Sequence, residues 1–201
     1  NNQIFDWEIG DAAATDAAIA SAAHVTEMQI INNRLVPNPM EPRAALGVYD
    51  EGEDHFTLWT TSQNPHVARL VLSAFYNVAP ENKLRVIAPD VGGGFGSKIY
   101  IYPEEIVCLW ASKRTGVPVK WTCDRTEAFL TDAHGRDHVT SVKMAFDANN
   151  KITGFKVDTI ANLGAYMSLF SSSVPTYLYA TLLSGQYNIP NIHANVRTVY
   201  T

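Results

Sequence analysis

The stretch Val91-Gly92-Gly93-Gly94-Phe95-Gly96-Ser97-Lys98 places four glycines in five positions around one large ring. Glycine admits positive φ and lets a backbone approach groups that a Cβ would push away. Successive free N–H groups in such a turn make a nest for an anion or an oxo group. The same residues also suit a tight turn with Phe95 as an aromatic plug, and on local grounds both readings stand. Gln63 is the second candidate. It lies in Thr61-Ser62-Gln63-Asn64-Pro65-His66, where a strand gives way to a helix, and helix N-termini favour electron-rich ligands. A loop amide is otherwise usually a surface residue. Other clusters are weaker. His134 and His138 stand four apart, but Gly135 argues against the helix that would aim both at one metal. Asp50, Glu51, Glu53 and Asp54 have only His55 beside them and read as a solvated turn.

Spelling narrows the glycine stretch. A P-loop needs Gly-Lys-Ser/Thr at its end, and Ser97 separates Gly96 from Lys98. A dinucleotide fingerprint starting at Gly92 needs a third glycine or alanine at position 97, which is Ser97. A kinase loop fails at the same place. No Gly-x-Ser-x-Gly elbow occurs, and no Cys–His or Ser–His–Asp arrangement follows from spacing.

The elements that would position these residues can be read in order. Residues 4–9 look extended, and the alanine-rich 11–23 reads as a short helix capped by Asp11 or Thr15, packed closely on a flat surface. Val25, Met28, Ile30 and Ile31 suggest a strand. Residues 44–49 and 56–61 form an antiparallel hairpin around the acidic turn. Asn64 as a cap, Pro65 in the first turn and Val67, Leu70, Val71, Ala74 and Phe75 on one face predict a helix. Residues 84–88 read as a buried strand, 102–113 as a helix, and 116–121 as a turn into another strand. Strand, helix, strand, glycine loop, helix, strand is the alternation of crossover units. Residues 124–132 suggest a short helix, 138–146 and 152–162 a hairpin around 147–151, and Gly164-Ala165-Tyr166 a break or bulge in its second strand. Residues 167–184 give no clear periodicity, and 196–201 read as a strand stopping in mid-pattern. The expected fold class is α+β (mixed α/β), a β-sheet with crossover helices, divided as an entry segment 1–45 and a body 46–201 carrying the loop 92–96.

Composition excludes several partners. The chain has 201 residues, 46% of them hydrophobic, enough for one ample core or two small ones. A formal charge of −5 without a basic cluster argues against nucleic acid. No apolar run approaches the ~18 residues of a membrane span, and Asn1-Asn2-Gln3 does not open a signal peptide. Cys108 and Cys123 are too few for a disulfide framework; Cys108 reads as a buried thiol, and the expected setting is cytoplasmic. The missing initiator methionine and the strand-like end suggest a piece of a longer protein.

With these residues laid out, the chain resembles the large, molybdenum-cofactor-binding subunit of the xanthine dehydrogenase, aldehyde oxidase and aerobic carbon monoxide dehydrogenase family. The resemblance is carried by Asn33-Arg34-Leu35-Val36-Pro37 with Glu41-Pro42-Arg43, and by Leu58-Trp59-Thr60 running into the Gln63 segment. It continues through Val86-Ile87-Ala88-Pro89-Asp90 with the glycine loop, Gly116-Val117-Pro118-Val119-Lys120-Trp121 with Asp124-Arg125, Asn162-Leu163-Gly164-Ala165-Tyr166 and Val199-Tyr200-Thr201. It implies molybdopterin with molybdenum, as the cytosine dinucleotide, and iron–sulfur clusters and FAD on other subunits or domains. It implies oxidation of a small carbon substrate (aldehyde, N-heterocycle or CO) with water-derived oxygen. By the same likeness Gln63 hydrogen-bonds an oxo ligand of molybdenum, Phe95 lines the metal's face, and Gly93, Gly94, Phe95 and Gly96 bind the cofactor, Phe95 and Gly96 through backbone donors. The xanthine-oxidising branch carries an acidic residue where Ile99 stands here, so the likeness leans to the carbon-monoxide-dehydrogenase branch. Neither Cys108 nor Cys123 matches that branch's copper-binding cysteine. The family's glutamate base and most of its pterin contacts come from later sequence, so this piece is expected to be inactive alone and to need the rest of the large subunit. The alternative is a non-catalytic binding or scaffold module retaining the fold.

Overall fold

The computed structural model describes residues 2–165 and 167–201; Asn1, and Tyr166 of the Asn162–Tyr166 stretch, lie outside the described residues. The chain divides into two compact units. One is residues 36–135, and the other joins residues 1–35 to 136–201.

The 36–135 unit is a four-stranded mixed sheet with two long helices. Strands β3 (Ala44–Asp50) and β4 (His55–Thr60) form the expected hairpin, with Asp50 opposite His55. Helix α2 (Pro65–Ala74) then returns the chain to β5 (Leu84–Ile87), parallel to β4, as a crossover unit. Helix α3 (Pro103–Thr115) leads to β6 (Val119–Thr122), which pairs with the far side of β3, giving the order β5-β4-β3-β6. The short α4 (Arg125–Thr131) follows, its Asp124 carboxylate accepting the Glu127 N–H and Glu127 reaching back to the Asp124 N–H. Leu58, Leu72 and Leu109 are fully buried in the shared core with Phe56, Leu84 and Cys108. Burial of side chains this size is worth about 1.5–3 kcal/mol each. A Cβ on Gly47 would stand 2.5 Å from the Cys108 carbonyl carbon, so the glycine lets α3 lie directly on β3. Gly116, at φ +70°, ends α3 with its N–H on the Ser112 carbonyl.

The other unit is a five-stranded sheet in the order β1-β9-β8-β7-β2. It comprises β1 (Gln3–Gly10), β2 (His24–Asn32), β7 (His138–Phe146), β8 (Ile152–Asn162) and β9 (Ile192–Val199). Both strands of the 1–45 segment therefore pair with strands more than a hundred residues away. Helix α1 (Ala12–Ala20), capped by Asp11 through the Ala14 N–H, lies over the sheet close enough that a Cβ on Gly154 would be 3.1 Å from Ala18 Cβ. On the opposite face Val157 and Ala194 pack with Ala180, Tyr179 and Leu183.

One local expectation is corrected. Asn64 stands at the N-cap of α2 but its side chain caps no helix N–H: Asn64 Oδ1 accepts from Ser62 Oγ at 3.4 Å, and the Asn64 N–H donates to Ser62 Oγ at 3.1 Å. The 152–162 strand ends at Asn162 as expected, and in the break that follows Gly164, at φ +92°, donates its N–H to Asn162 Oδ1. The strand expected near the end of the chain is β9, hydrogen-bonded on both sides, to β1 and to β8.

Candidate cofactor site

Gln63 and the glycine loop form one structure within the 36–135 unit. The Gln63 N–H donates to the Lys98 carbonyl at 2.9 Å. Its side-chain Oε1 accepts the Gly96 N–H at 2.9 Å and the Lys98 N–H at 3.2 Å. Two backbone donors on one oxygen decide the orientation of the amide, since an NH2 group there would face two N–H groups. Nε2 is therefore on the other side, and it has no acceptor among the described residues. Gln63 is exposed, so this donor is accessible.

The loop is built to receive that amide. A Cβ on Gly94 would lie 2.3 Å from Gln63 Oε1, so the amide occupies the space a side chain would fill. Gly93 at φ +90° and Gly96 at φ +93° turn the chain through the region that glycine tolerates, and Phe95 shares it at φ +49°. Ser97 is fully buried, its Oγ donating to the Gly94 carbonyl at 2.9 Å, and the Tyr102 hydroxyl donates to the Ser97 carbonyl at 2.7 Å. The Gly93 N–H is taken by Val91 O and the Gly96 N–H by Gln63. The Gly94 and Phe95 N–H groups have no acceptor among the described residues. Of the two backbone donors expected at Phe95 and Gly96, the first is free in the structure and the second is engaged.

Phe95 is 74% exposed, its ring edge over Gly93. The reading of Phe95 as a buried plug is corrected: the ring is not core, and it stands in the open beside the free donors.

The surroundings are strongly held. Arg43 is 4% exposed and bonds Asp132 at 2.5 Å and Glu104 at 3.2 Å, with its guanidinium 3.6 Å from the Tyr102 ring centroid. Burial works against its charge, but the Asp132 and Glu104 bonds outweigh that and hold its pKa above the ordinary arginine value. Burial pushes Glu105 up, against the hydrogen bonds from Thr60 Oγ1 and the Tyr102 N–H. Burial also pushes the Tyr102 hydroxyl up to about 12. Cys108 and Cys123 are buried free thiols, both raised by burial. Among the described residues no three His, Cys, Asp or Glu side chains gather for a metal ion, and no helix is long and apolar enough to cross a membrane.

An exposed amide donor and two unpaired backbone N–H groups on one turn suit an electron-rich oxygen far better than a cation. In comparison with known proteins, the molybdopterin cofactor-binding domain family matches residues 1–201. The chain belongs to that family. It is 38% identical over its whole length to the carbon monoxide dehydrogenase large chain of Hydrogenophaga pseudoflava, covering 25% of that protein. It is 36% identical to the nicotine 6-hydroxylase large subunit of Paenarthrobacter nicotinovorans, over 87% of the chain and 22% of the relative. The reconstituted CO dehydrogenase structure from Oligotropha carboxidovorans superposes on all of the chain and 25% of its own, with a TM-score of 0.85 at 36% identity. The chain thus spans about a quarter of these relatives' length.

The sequence pointed to Gln63 and the glycine loop separately. It did not reveal that Gln63 is bound by the loop's own backbone, nor that Glu41 reaches both ends of the loop. The glutamate was visible only as part of Glu41-Pro42-Arg43, whose spacing says nothing of a partner more than fifty residues away.

Proposed function

We propose that this chain is the part of a molybdenum hydroxylase large subunit that presents Gln63 and the 92–96 loop to the cofactor. The parent enzyme oxidises a small carbon substrate, an aldehyde, an N-heterocycle or carbon monoxide, with water-derived oxygen. The observation that carries the reading is the trio of unpaired donors, Gln63 Nε2 and the Gly94 and Phe95 N–H groups, beside loop N–H groups that are otherwise all engaged. When bound, the molybdopterin group supplies the two-electron redox chemistry. Gln63 Nε2 donates to an oxygen of that group. The free N–H groups of Gly94 and Phe95 place fixed positive dipoles beside it, and Gly93 and Gly96 give the turn that aims them. The exposed Phe95 ring covers the open side, excludes water and offers an apolar wall to substrate. Ile99, apolar where an acid would serve purine hydroxylation, favours the carbon-monoxide-dehydrogenase-like branch.

The finer reading follows the same family: a cytosine dinucleotide on the pterin, and electrons leaving through iron–sulfur clusters and FAD on other subunits. The names "large chain" and "large subunit" among the relatives support such partners. The two buried free thiols fit a cytoplasmic setting. Metal analysis with pterin extraction on the full-length parent, purified from its own host, tests the reading. One molybdenum and one pterin nucleotide per large subunit is the expected result. A metal-free parent from a host whose other molybdenum enzymes are loaded would leave a scaffold that keeps the fold without the chemistry.

A further inference from the structure

We propose that Glu41 is a positioning residue of the cofactor site, a single carboxylate that ties the two ends of the glycine loop together. The proposal rests on the function just given, because what the tie holds in place is the set of donors assigned to the cofactor. Glu41 Oε2 accepts the Gly92 N–H at 2.8 Å and the Lys98 ammonium at 2.8 Å. The Glu41 N–H in turn donates to the Gly92 carbonyl at 3.2 Å. Gly92 opens the loop and Lys98 closes it, so one oxygen joins both.

Sterics add to the bonds. Gly92 does not sit at positive φ, so backbone freedom does not explain a glycine there. A Cβ on Gly92 would stand 2.5 Å from Glu41 Cβ, and the glycine is what allows the glutamate to reach the loop's backbone. Lys98 is 2% exposed, and its ammonium has no other acceptor among the described residues. Burial pulls against the Glu41 charge, while the Lys98 and Gly92 bonds hold its pKa below the ordinary value. Charge-assisted bonds of this kind are the strong ones.

Lys98 is also the residue whose N–H and carbonyl both bind Gln63. The tie therefore runs from Glu41 through Lys98 to the amide facing the cofactor. Glu41 is itself anchored. Arg125 donates to the Pro39 carbonyl at 2.6 Å, to the Met40 carbonyl at 3.0 Å and to Asn38 Oδ1. The Glu41-Pro42-Arg43 and Asp124-Arg125 segments, far apart in sequence, thus serve one purpose. Glu41 makes no contact with the free donors and acts on them only through Gly92 and Lys98.

Replacing Glu41 alone would strand a buried ammonium and put folding at risk. The test is therefore the pair Glu41→Ala and Lys98→Met, which removes the tie without leaving a charge unpaired. Hydrogen exchange at the amides of residues 96 and 98 should speed at least tenfold in the double variant, with amides of the β3–β4 hairpin unchanged. Exchange at 96 and 98 within twofold of wild type overturns the proposal, with or without bound metal. In the molybdenum-loaded parent, the double variant should also shift the Mo(V) electron paramagnetic resonance signal at undiminished molybdenum content. An unshifted signal there would reduce Glu41 to a purely structural residue and overturn its positioning role. A wild-type parent without molybdenum would defeat the functional reading instead, while the exchange measurement would still decide the tie.

Discussion

Adding one methyl group at Gly94 should uncouple Gln63 from the loop. An alanine Cβ there would lie 2.3 Å from Gln63 Oε1, 2.5 Å from its Cδ and 2.7 Å from its Cγ, more than an ångström inside contact. Gly94 is not at positive φ, so the conflict is steric and not one of backbone strain. Gln63 is exposed and can swing into solvent, which breaks the bonds from the Gly96 and Lys98 N–H groups and leaves the Gln63 N–H on Lys98 O in place. Two net hydrogen bonds at about 0.5–1.5 kcal/mol each set the cost of Gly94→Ala at about 1–3 kcal/mol. In a Gln63→Ala background the space is already empty. There the three nearest atoms the methyl would meet are gone, and, by restricting the unfolded chain, it should be neutral or stabilising by about 0.4–1 kcal/mol. Urea unfolding of wild type, both single variants and the double variant measures the coupling directly. An equal cost of Gly94→Ala in both backgrounds would refute the packing of the amide in the glycine notch.

Three further outcomes follow from the same structure. Phe95→Ala, removing a ring that is 74% exposed, should change stability by less than about 0.5 kcal/mol while lowering turnover of the parent; a loss of several kcal/mol in a thermal melt would restore the plug. Gly47→Ala would push a Cβ to within 2.5–2.7 Å of the Cys108 and Leu109 backbone and should cost about 1–3 kcal/mol or more in urea unfolding. Tyr102, at about 12 in the folded chain against 10.0 unperturbed, keeps its proton after the unfolded chain has lost it. Its contribution is complete below pH 10 and is lost as pH rises towards 12, at most about 2–3 kcal/mol. Tyr102→Phe should flatten the alkaline fall in stability over that window, and an unchanged slope would assign the fall to other groups.

Local signals were legible where the chain contacts its own near neighbours. The acidic turn between β3 and β4, Pro65 in the first turn of α2, and the two alternating runs of β7 and β8 each announce their element within a dozen residues. What the sequence could not show depends on long separations. β2 joins a sheet whose nearest strand begins at His138, so an entry segment at 1–45 reads as separate when its strands belong to the second sheet. Glu41 and Lys98 are joined by a bond that no periodicity encodes. The Gln63 amide could be named as a candidate but not oriented, since its orientation comes from N–H groups at 96 and 98. Residues 167–184 gave no period because their hydroxyls compete with regular structure. Ser171, Ser173 and Thr176 Oγ groups donate back to the carbonyls of Ser168, Phe170 and Ser172, and the segment settles into turns and one short π-helical turn, Val174–Leu178.

Gln63 holds its oxygen to the loop, and Gln63→Glu separates that hold from its proposed donation to the cofactor. The glutamate keeps an acceptor for the Gly96 and Lys98 N–H groups, while its outward oxygen replaces the donor with a negatively charged acceptor. Measured in the molybdenum-loaded parent, turnover should fall about 100-fold or more, the scale seen when one preorganised donor is removed, with metal content and melting temperature unchanged. Turnover within twofold of wild type at full molybdenum content would show that the free Nε2 of Gln63 has no part in the chemistry.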